Sequence, residues 1–337
     1  MRTRAVAALA GAAATLALYA TATAGLSQSR SGAYEIASRP IEAFRIGSTE
    51  TRFGPLEFIG GLEMTSSARD FGSLSAFRFR GAGTEFVGVT DTGFWYFGVV
   101  ARDESGTPVG FADFSMEEMV DRHGRPIRDK MTTDAEGIAI LGDVATVSFE
   151  RKHRVSEFDV ERGVMRAARR DLDFVIPRHE LRQNKGIETV AHAPADGPLA
   201  GARVVVSERS IDEKGDIFAA IMEGPRRGVF KIRRGGGFDI TDGAFLPDGD
   251  LLLLERSFNM AEGVRMRLRR LQGEDIRPGA RLDGDILFEA DMAYQIDNME
   301  GLDTWVRPDG ATMVSIVSDD NHSILQRNLY LEFRLVE

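Results

Sequence analysis

Residues 242–256 read DGAFLPDGDLLLLER: a glycine-led phrase, a tight turn, an apolar run, then an acid and a base. Pro247 presets φ and Gly249 accepts φ > 0, so Pro247-Asp248-Gly249 reverses the chain between two short strands. Four other stretches share the cadence. Gly60-Gly61-Leu62-Glu63 leads to Gly88-Val89-Thr90-Asp91, and Glu136-Gly137-Ile138-Ala139 leads to Val147-Ser148-Phe149-Glu150-Arg151. Lys185-Gly186-Ile187-Glu188 leads to Val206-Ser207-Glu208-Arg209, and Glu300-Gly301-Leu302-Asp303 leads to Val317-Ser318-Asp319-Asp320. A phrase repeated along a chain means an array of like units.

The glycines Gly61, Gly137, Gly186, Gly243 and Gly301 lie 76, 49, 57 and 58 residues apart. Such spacings suit a four-stranded propeller blade of roughly 40 to 50 residues and are too long for most solenoid repeats. The intervening segments, such as Ala202–Ser207, Asp216–Met222, Gly228–Ile232 and Asp250–Leu254, are short, apolar and bounded by Gly, Pro, Asp or Asn, which reads as strand. The expected fold is an all-β propeller of five blades, with six left open by the longer first interval and its extra strand candidate Ala76–Phe79. The last unit supplies three strands, Leu302–Val306, Met313–Val317 and Leu329–Val336, before the chain ends. A fourth is available upstream at Ile41–Ile46, so an N-terminal strand is expected to complete the final blade and remove the free sheet edges.

The 337 residues carry 28% charged and 43% hydrophobic side chains, with no linker-like interruption, which suits one large β domain. Residues 1–24 place Arg2 and Arg4 before an apolar run, Ala5–Ala20, and two A-x-A sites, the order of a secretory signal peptide. Residues 25–39 are expected to be a flexible N-terminal segment and 40–337 the propeller, in a periplasmic or secreted protein with no stable membrane insertion after cleavage. The formal charge of −10 becomes −12 once Arg2 and Arg4 leave, which with no basic patch disfavours nucleic acid as a partner. The chain has no cysteine, which excludes disulfides, a lipid-bearing cysteine and thiol catalysis.

In a propeller, loops from the inner strands collect at one face, so acids repeated once per blade should converge. Glu63, Glu136, Glu188, Asp242 and Glu300 flank the glycines, and Asp91, Glu150, Glu208, Glu255 and Asp319 end the second strands. Crowded carboxylates repel one another unless a cation or arginines compensate them, and their hard oxygens suit Ca²⁺ or Mg²⁺. The competing reading makes each Glu-Arg pair a blade-to-blade salt bridge, repeated because the unit is repeated. Arg122-His123-Gly124-Arg125-Pro126 resembles a histidine acid phosphatase signature in the wrong register and reads as a polar turn. No G-x-S-x-G elbow exists, and the five histidines lack zinc-ligand spacing. The aromatic run Phe94-Trp95-Tyr96-Phe97 is expected to pack between blades.

Taken in order, GGLE…TDTG, DAEGIA…SFER, NKGIET…VSER, TDGAFLPDG…LLLERSF and NMEGLD…SDDN resemble the phytase-like domain family, described as having esterase-like activity of phytase. The resemblance spans roughly residues 40–337 and implies an exported β-propeller that hydrolyses small-molecule phosphoesters or esters. For such chemistry Glu136, Glu188, Glu300 and Asp320 are candidate ligands of a divalent cation, Ca²⁺ foremost. Glu188, Glu300, Asp319 and His153 are candidate catalytic acids or bases. Lys185, Arg151, Arg209 and Arg256 are candidate substrate-binding cations. The alternative is a noncatalytic ligand-binding or scaffolding propeller.

Overall fold

The computed structural model describes residues 30–336, so the expected signal segment lies outside the described residues. Five sheets make a five-bladed β-propeller, with one helical turn at Lys130–Thr133 and two 3₁₀ turns as the only helix among those residues. Blade 1 begins with Leu74–Phe79, blade 2 with Ala135–Leu141, blade 3 with Ile187–His192, blade 4 with Asp239–Phe245 and blade 5 with Met299–Val306. These first strands touch their neighbours in a closed ring around the axis. No helix among the described residues is long and apolar enough to cross a membrane.

Blade 5 is shared between the two ends of the chain. Thr312–Ser318 and Asn328–Leu335 come from the C-terminal end, and Leu56–Thr65 pairs antiparallel with the latter, Gly61 opposite Leu331. The N-terminal closure is therefore present, but the closing strand is 56–65 and not 41–46; Ala37–Ile41 adds a further strand outside it. This also corrects the first repeat. Gly60-Gly61-Leu62-Glu63 lies on the outer part of blade 5, and the innermost strand of blade 1 is Leu74–Phe79, which contains the extra strand candidate. Measured from equivalent ladder positions, Leu74, Ala135, Ile187, Ile240 and Met299, the blades recur after 61, 52, 53 and 59 residues, and no sixth unit is needed. The upstream segment, described from Arg30, forms strands at Gly32–Ala33 and Ala37–Ile41.

The core is divided into five clusters, one between each adjacent pair of blades. Strand alternation sends successive side chains to opposite faces. Phe94 and Tyr96 therefore enter the cluster between blades 5 and 1, while Trp95 and Phe97 enter that between blades 1 and 2. Burying a large apolar side chain of this kind is worth roughly 1.5–3 kcal/mol. Arg122–Pro126 forms an exposed turn in which Asp121 Oδ1 accepts from the His123 and Arg125 amides.

Candidate active site

In all five blades the register between the first and second strands slips at one place near the same end of the axis. A β-bulge of this kind re-aims a side chain. The extra residue is Ser75, Glu136, Glu188, Thr241 or Glu300, so three of five blades present a glutamate there. The second strands end beside it. The amides of Asp91, Glu150, Glu208 and Asp319 donate to the carbonyls of Ser73, Asp134, Gly186 and Asn298, and in blade 4 the corresponding residue is Arg256, opposite Asp239. Two rings of side chains thus surround one mouth of the channel, acidic except at blades 1 and 4 of the inner ring and at Arg256 of the outer.

Close approach of the strands explains the glycines. A Cβ at Gly137 would collide with the Glu188 carbonyl of the next blade, and one at Gly186 would lie 2.9 Å from Nδ1 of His153. His153 is consequently packed against the mouth, with Nδ1 buried and unpartnered; burial and Arg178 hold its imidazolium below the usual range, favouring the neutral ring.

The ladder also corrects which letters are equivalent. Glu188 matches Glu136 and Glu300, while Lys185 lies in the approach loop, where Nζ donates to both Glu208 oxygens at 2.7 Å. Glu255 faces away from the ring and is sandwiched by Arg267 and Arg269. Glu63 pairs with Arg39 at 2.5 Å on the outer part of blade 5. Asp242 is buried below the mouth, where both its oxygens accept from Arg78 at 2.8 and 2.9 Å. The same guanidinium donates to the carbonyls of Phe77, Val190, Gly243 and Leu302 at 2.7–3.1 Å, tying four blades together across the channel. Beyond this plug, the far end of the channel holds a hollow of about 210 Å³ lined by His192, Asp303 and Trp305.

At the mouth, one oxygen each from Asp134, Glu136 and Glu150 lie within 4.8 Å of one another, as do oxygens of Glu150, Glu188 and Glu208. Glu150 is common to both groups. Burial, with the facing acids behind it, raises Glu136 and Glu188 well above the ordinary carboxylate range. Burial pushes Glu150 up to about 7 against a bond from the Gly186 amide, and Asp319 up to about 8 against one from Asn321. Glu300 is raised by burial and held down by Arg256 at 3.0 Å, and it accepts from Asn298 at 2.8 Å. Arg151 holds Asp134 at 2.7 Å, Lys130 holds Asp91 at 2.6 Å, and Oδ1 of Asp91 is buried without a partner. The donor set is entirely carboxylate oxygen, five acids on blades 2 and 3 against Lys130, Arg151 and Lys185, and it fits a hard divalent cation.

Among the expected site residues, Glu136, Glu188, Glu300, Asp319, His153, Lys185, Arg151 and Arg256 all meet around this mouth. Glu300 and Asp320 lie outside the two carboxylate groups; Asp320 shapes a turn, Oδ1 accepting from the His322 amide at 3.0 Å. Arg209 pairs with Asp239 at 3.1 Å and, with Lys185, Arg256 and Arg327, lines a cleft of about 760 Å³ beside the mouth. Asp134, Asp239 and Arg327 were not singled out from sequence. Asp134 lies two residues before Glu136 and opens the DAEGIA stretch of blade 2, and that position is its only sequence signal.

A solved structure described as a candidate gluconolactonase is similar in outline, with a TM-score of 0.41 at 10% identity over 89% of this chain and 94% of that one. No curated protein sequence matches. The sequence signature of the phytase-like family, described as esterase-like activity of phytase, matches residues 69–322, which hold all five first strands and both rings of the mouth, and the chain belongs to that family.

Proposed function

We propose that the protein is an exported hydrolase of small-molecule phosphoesters or esters, working with a divalent cation, Ca²⁺ foremost, held at the acidic mouth of the propeller. The observation that carries this reading is the pair of carboxylate groups sharing Glu150: five acids, all but Glu136 buried, facing the cations Lys130, Arg151 and Lys185. Asp134, Glu136, Glu150, Glu188 and Glu208 would hold the ion; Glu300 and Asp320 are its further candidate ligands. Such an ion supplies charge neutralisation at the ester oxygens and acidifies water.

The chain's own groups account for the rest. Hydrolysis adds a hydroxyl to the phosphorus or acyl carbon and a proton to the departing oxygen. Asp319, which lies outside the two carboxylate groups and is displaced toward neutrality, can hold or release a proton at the pH of the reaction, as general acid–base work requires. Glu188 and Glu300, on either side of Thr241, would aim water or ion at the reacting centre, and His153 as a neutral imidazole could accept a proton. Arg256, the one cation of the outer ring, and Arg209 and Lys185 in the adjoining cleft would orient anionic substrate oxygens, with Arg151 fixing Asp134. Export rests on residues 1–24.

The test is turnover by the mature protein on phosphomonoesters and short acyl esters, with Ca²⁺ and with chelator. Glu188→Gln and Glu300→Gln are expected to lower kcat by roughly 10²- to 10⁴-fold in folded protein. Absence of turnover on both panels, with thermal stability unmoved by chelator, would refute the reading.

A further inference from the structure

The cleft beside the mouth has a mixed lining: the cations Lys185, Arg209, Arg256 and Arg327, and the apolar side chains Phe258, Val264, Met292 and Leu325. Phe258 is 65% exposed, Met292 56% and Leu325 87%, and these three belong to none of the five inter-blade cores. They come from three separate segments: the end of the second strand of blade 4, the loop after its last strand, and the loop between the second and third strands of blade 5. Blade packing does not account for apolar side chains brought to one cleft from three directions while left in water. An apolar patch rimmed by polar groups marks a binding groove.

The charged part of the lining narrows the class of ligand. Each of its cations already faces an acid: Lys185 faces Glu208 at 2.7 Å, Arg209 faces Asp239 at 3.1 Å, Arg256 faces Glu300 at 3.0 Å and Arg327 faces Asp297 at 3.5 Å. Little net positive charge remains to hold several phosphates at once, and a compact polyanion would leave Phe258, Met292 and Leu325 bare. The blade 5 loop is also shaped to this end. Asn321 and His322 adopt φ of 47° and 51°, uncommon for residues other than glycine, and their amides are held by Asp319 and Asp320 at 2.9 and 3.0 Å. That tight turn leads directly into the segment carrying Leu325.

Resting on the hydrolase reading above, we propose that the substrate is an amphiphilic ester, with its alkyl or acyl chain along Phe258, Met292 and Leu325 and its single ester head among Arg256 and the mouth carboxylates. Hydrolysis breaks the bond from the ester oxygen to phosphorus or acyl carbon; water supplies the hydroxyl to that centre and the proton to the leaving oxygen.

Two homologous series test it on the full mature chain with Ca²⁺: p-nitrophenyl esters from acetate to octanoate, and phosphate monoesters from ethanol to octanol, with inositol hexakisphosphate beside them. In one series kcat/KM is expected to rise roughly 2- to 4-fold per added methylene, since a buried methylene contributes about 0.8 kcal/mol. Phe258→Ser and Leu325→Ser, both on exposed side chains, should flatten that slope. A flat slope in both series, or preference for inositol hexakisphosphate, overturns the inference and leaves the hydrolase reading standing. Calorimetry keeps the two separable if nothing turns over: octylphosphonate or octanoate binding more tightly than methylphosphonate or acetate, with the difference lost in Phe258→Ser, supports the cleft assignment. Equal or absent binding overturns it.

Discussion

Raising the pH of the metal-stripped protein should loosen the fold from the mouth outward. Glu150 titrates at about 7 against an ordinary 4.5, and Asp319 at about 8 against 3.8, burial being the main cause in both. The fold therefore prefers the neutral acid, and between the ordinary and the displaced values the folded chain binds more protons than the unfolded one. Stability contributed by these groups is fully present below about pH 4 and is lost as the pH climbs through 7 and 8. At about 1.36 kcal/mol per pH unit, ionising Glu150 costs roughly 3 kcal/mol and ionising Asp319 roughly 6. The acids of the mouth feel one another, so these figures do not add; a loss on the order of 5 kcal/mol between pH 5 and pH 8 is expected. At about 2 °C per kcal/mol for a chain of this size, Tm in chelator should fall by roughly 10 °C. Calcium ions favour the ionised carboxylates, so the Tm gained on adding Ca²⁺ should grow with pH. Melts followed by circular dichroism at pH 5, 6, 7 and 8, with chelator and with Ca²⁺, measure both. A Tm that is flat or rising in chelator, or a Ca²⁺ gain as large at pH 5 as at pH 8, would show that the mouth acids are compensated in some other way.

Two further substitutions separate structural acids from site acids. Glu255→Ala leaves Arg267 and Arg269 buried and unpaired and should cost roughly 3–5 kcal/mol in chemical denaturation while leaving Ca²⁺ binding by folded protein intact. Arg78→Met removes six hydrogen bonds at the axis and strands Asp242, with a similar loss of roughly 3–5 kcal/mol; Arg78→Met combined with Asp242→Leu should recover much of it, and a double mutant no more stable than Arg78→Met would show that the pair is not the source of the loss.

The architecture was legible because each unit carries its own turn chemistry and strand pattern. Pro247-Asp248-Gly249 joins first to second strand as expected, Pro308-Asp309-Gly310 does the same in blade 5, and the aromatic run 94–97 is divided between two cores as alternation requires. Register was not legible. Aligning repeats by their glycines set Gly186 beside Gly137, whereas the ladder sets Thr189 there and gives Glu188 the place of Glu136. It also took Glu255 for a ring residue when Arg256 holds that position, and one residue of slip in a strand exchanges the faces of every side chain. The bulge that creates the inner ring is a property of hydrogen-bonded partners and leaves no letter of its own. Glu63 was misplaced for a different reason: its phrase resembles an inner strand but pairs with residues about 270 positions away, which no local pattern reveals. Arg78 carried a modest signal, a lone charge in the apolar strand LSAFRF, whose meaning depended on four carbonyls from four blades.

The pairing of Leu56–Thr65 with Asn328–Leu335 has a bearing on when the protein becomes itself. Nearly the whole chain must be present before the ring can be drawn shut, and contacts of such sequence separation form slowly. Until then Glu300 and Asp319, on the last blade, have no reason to face Glu136 and Glu150 on the second. The complete mouth is thus among the last features to be assembled: Glu300 and Asp319 join the carboxylates that blades 2 and 3 already bring together only when the ring closes.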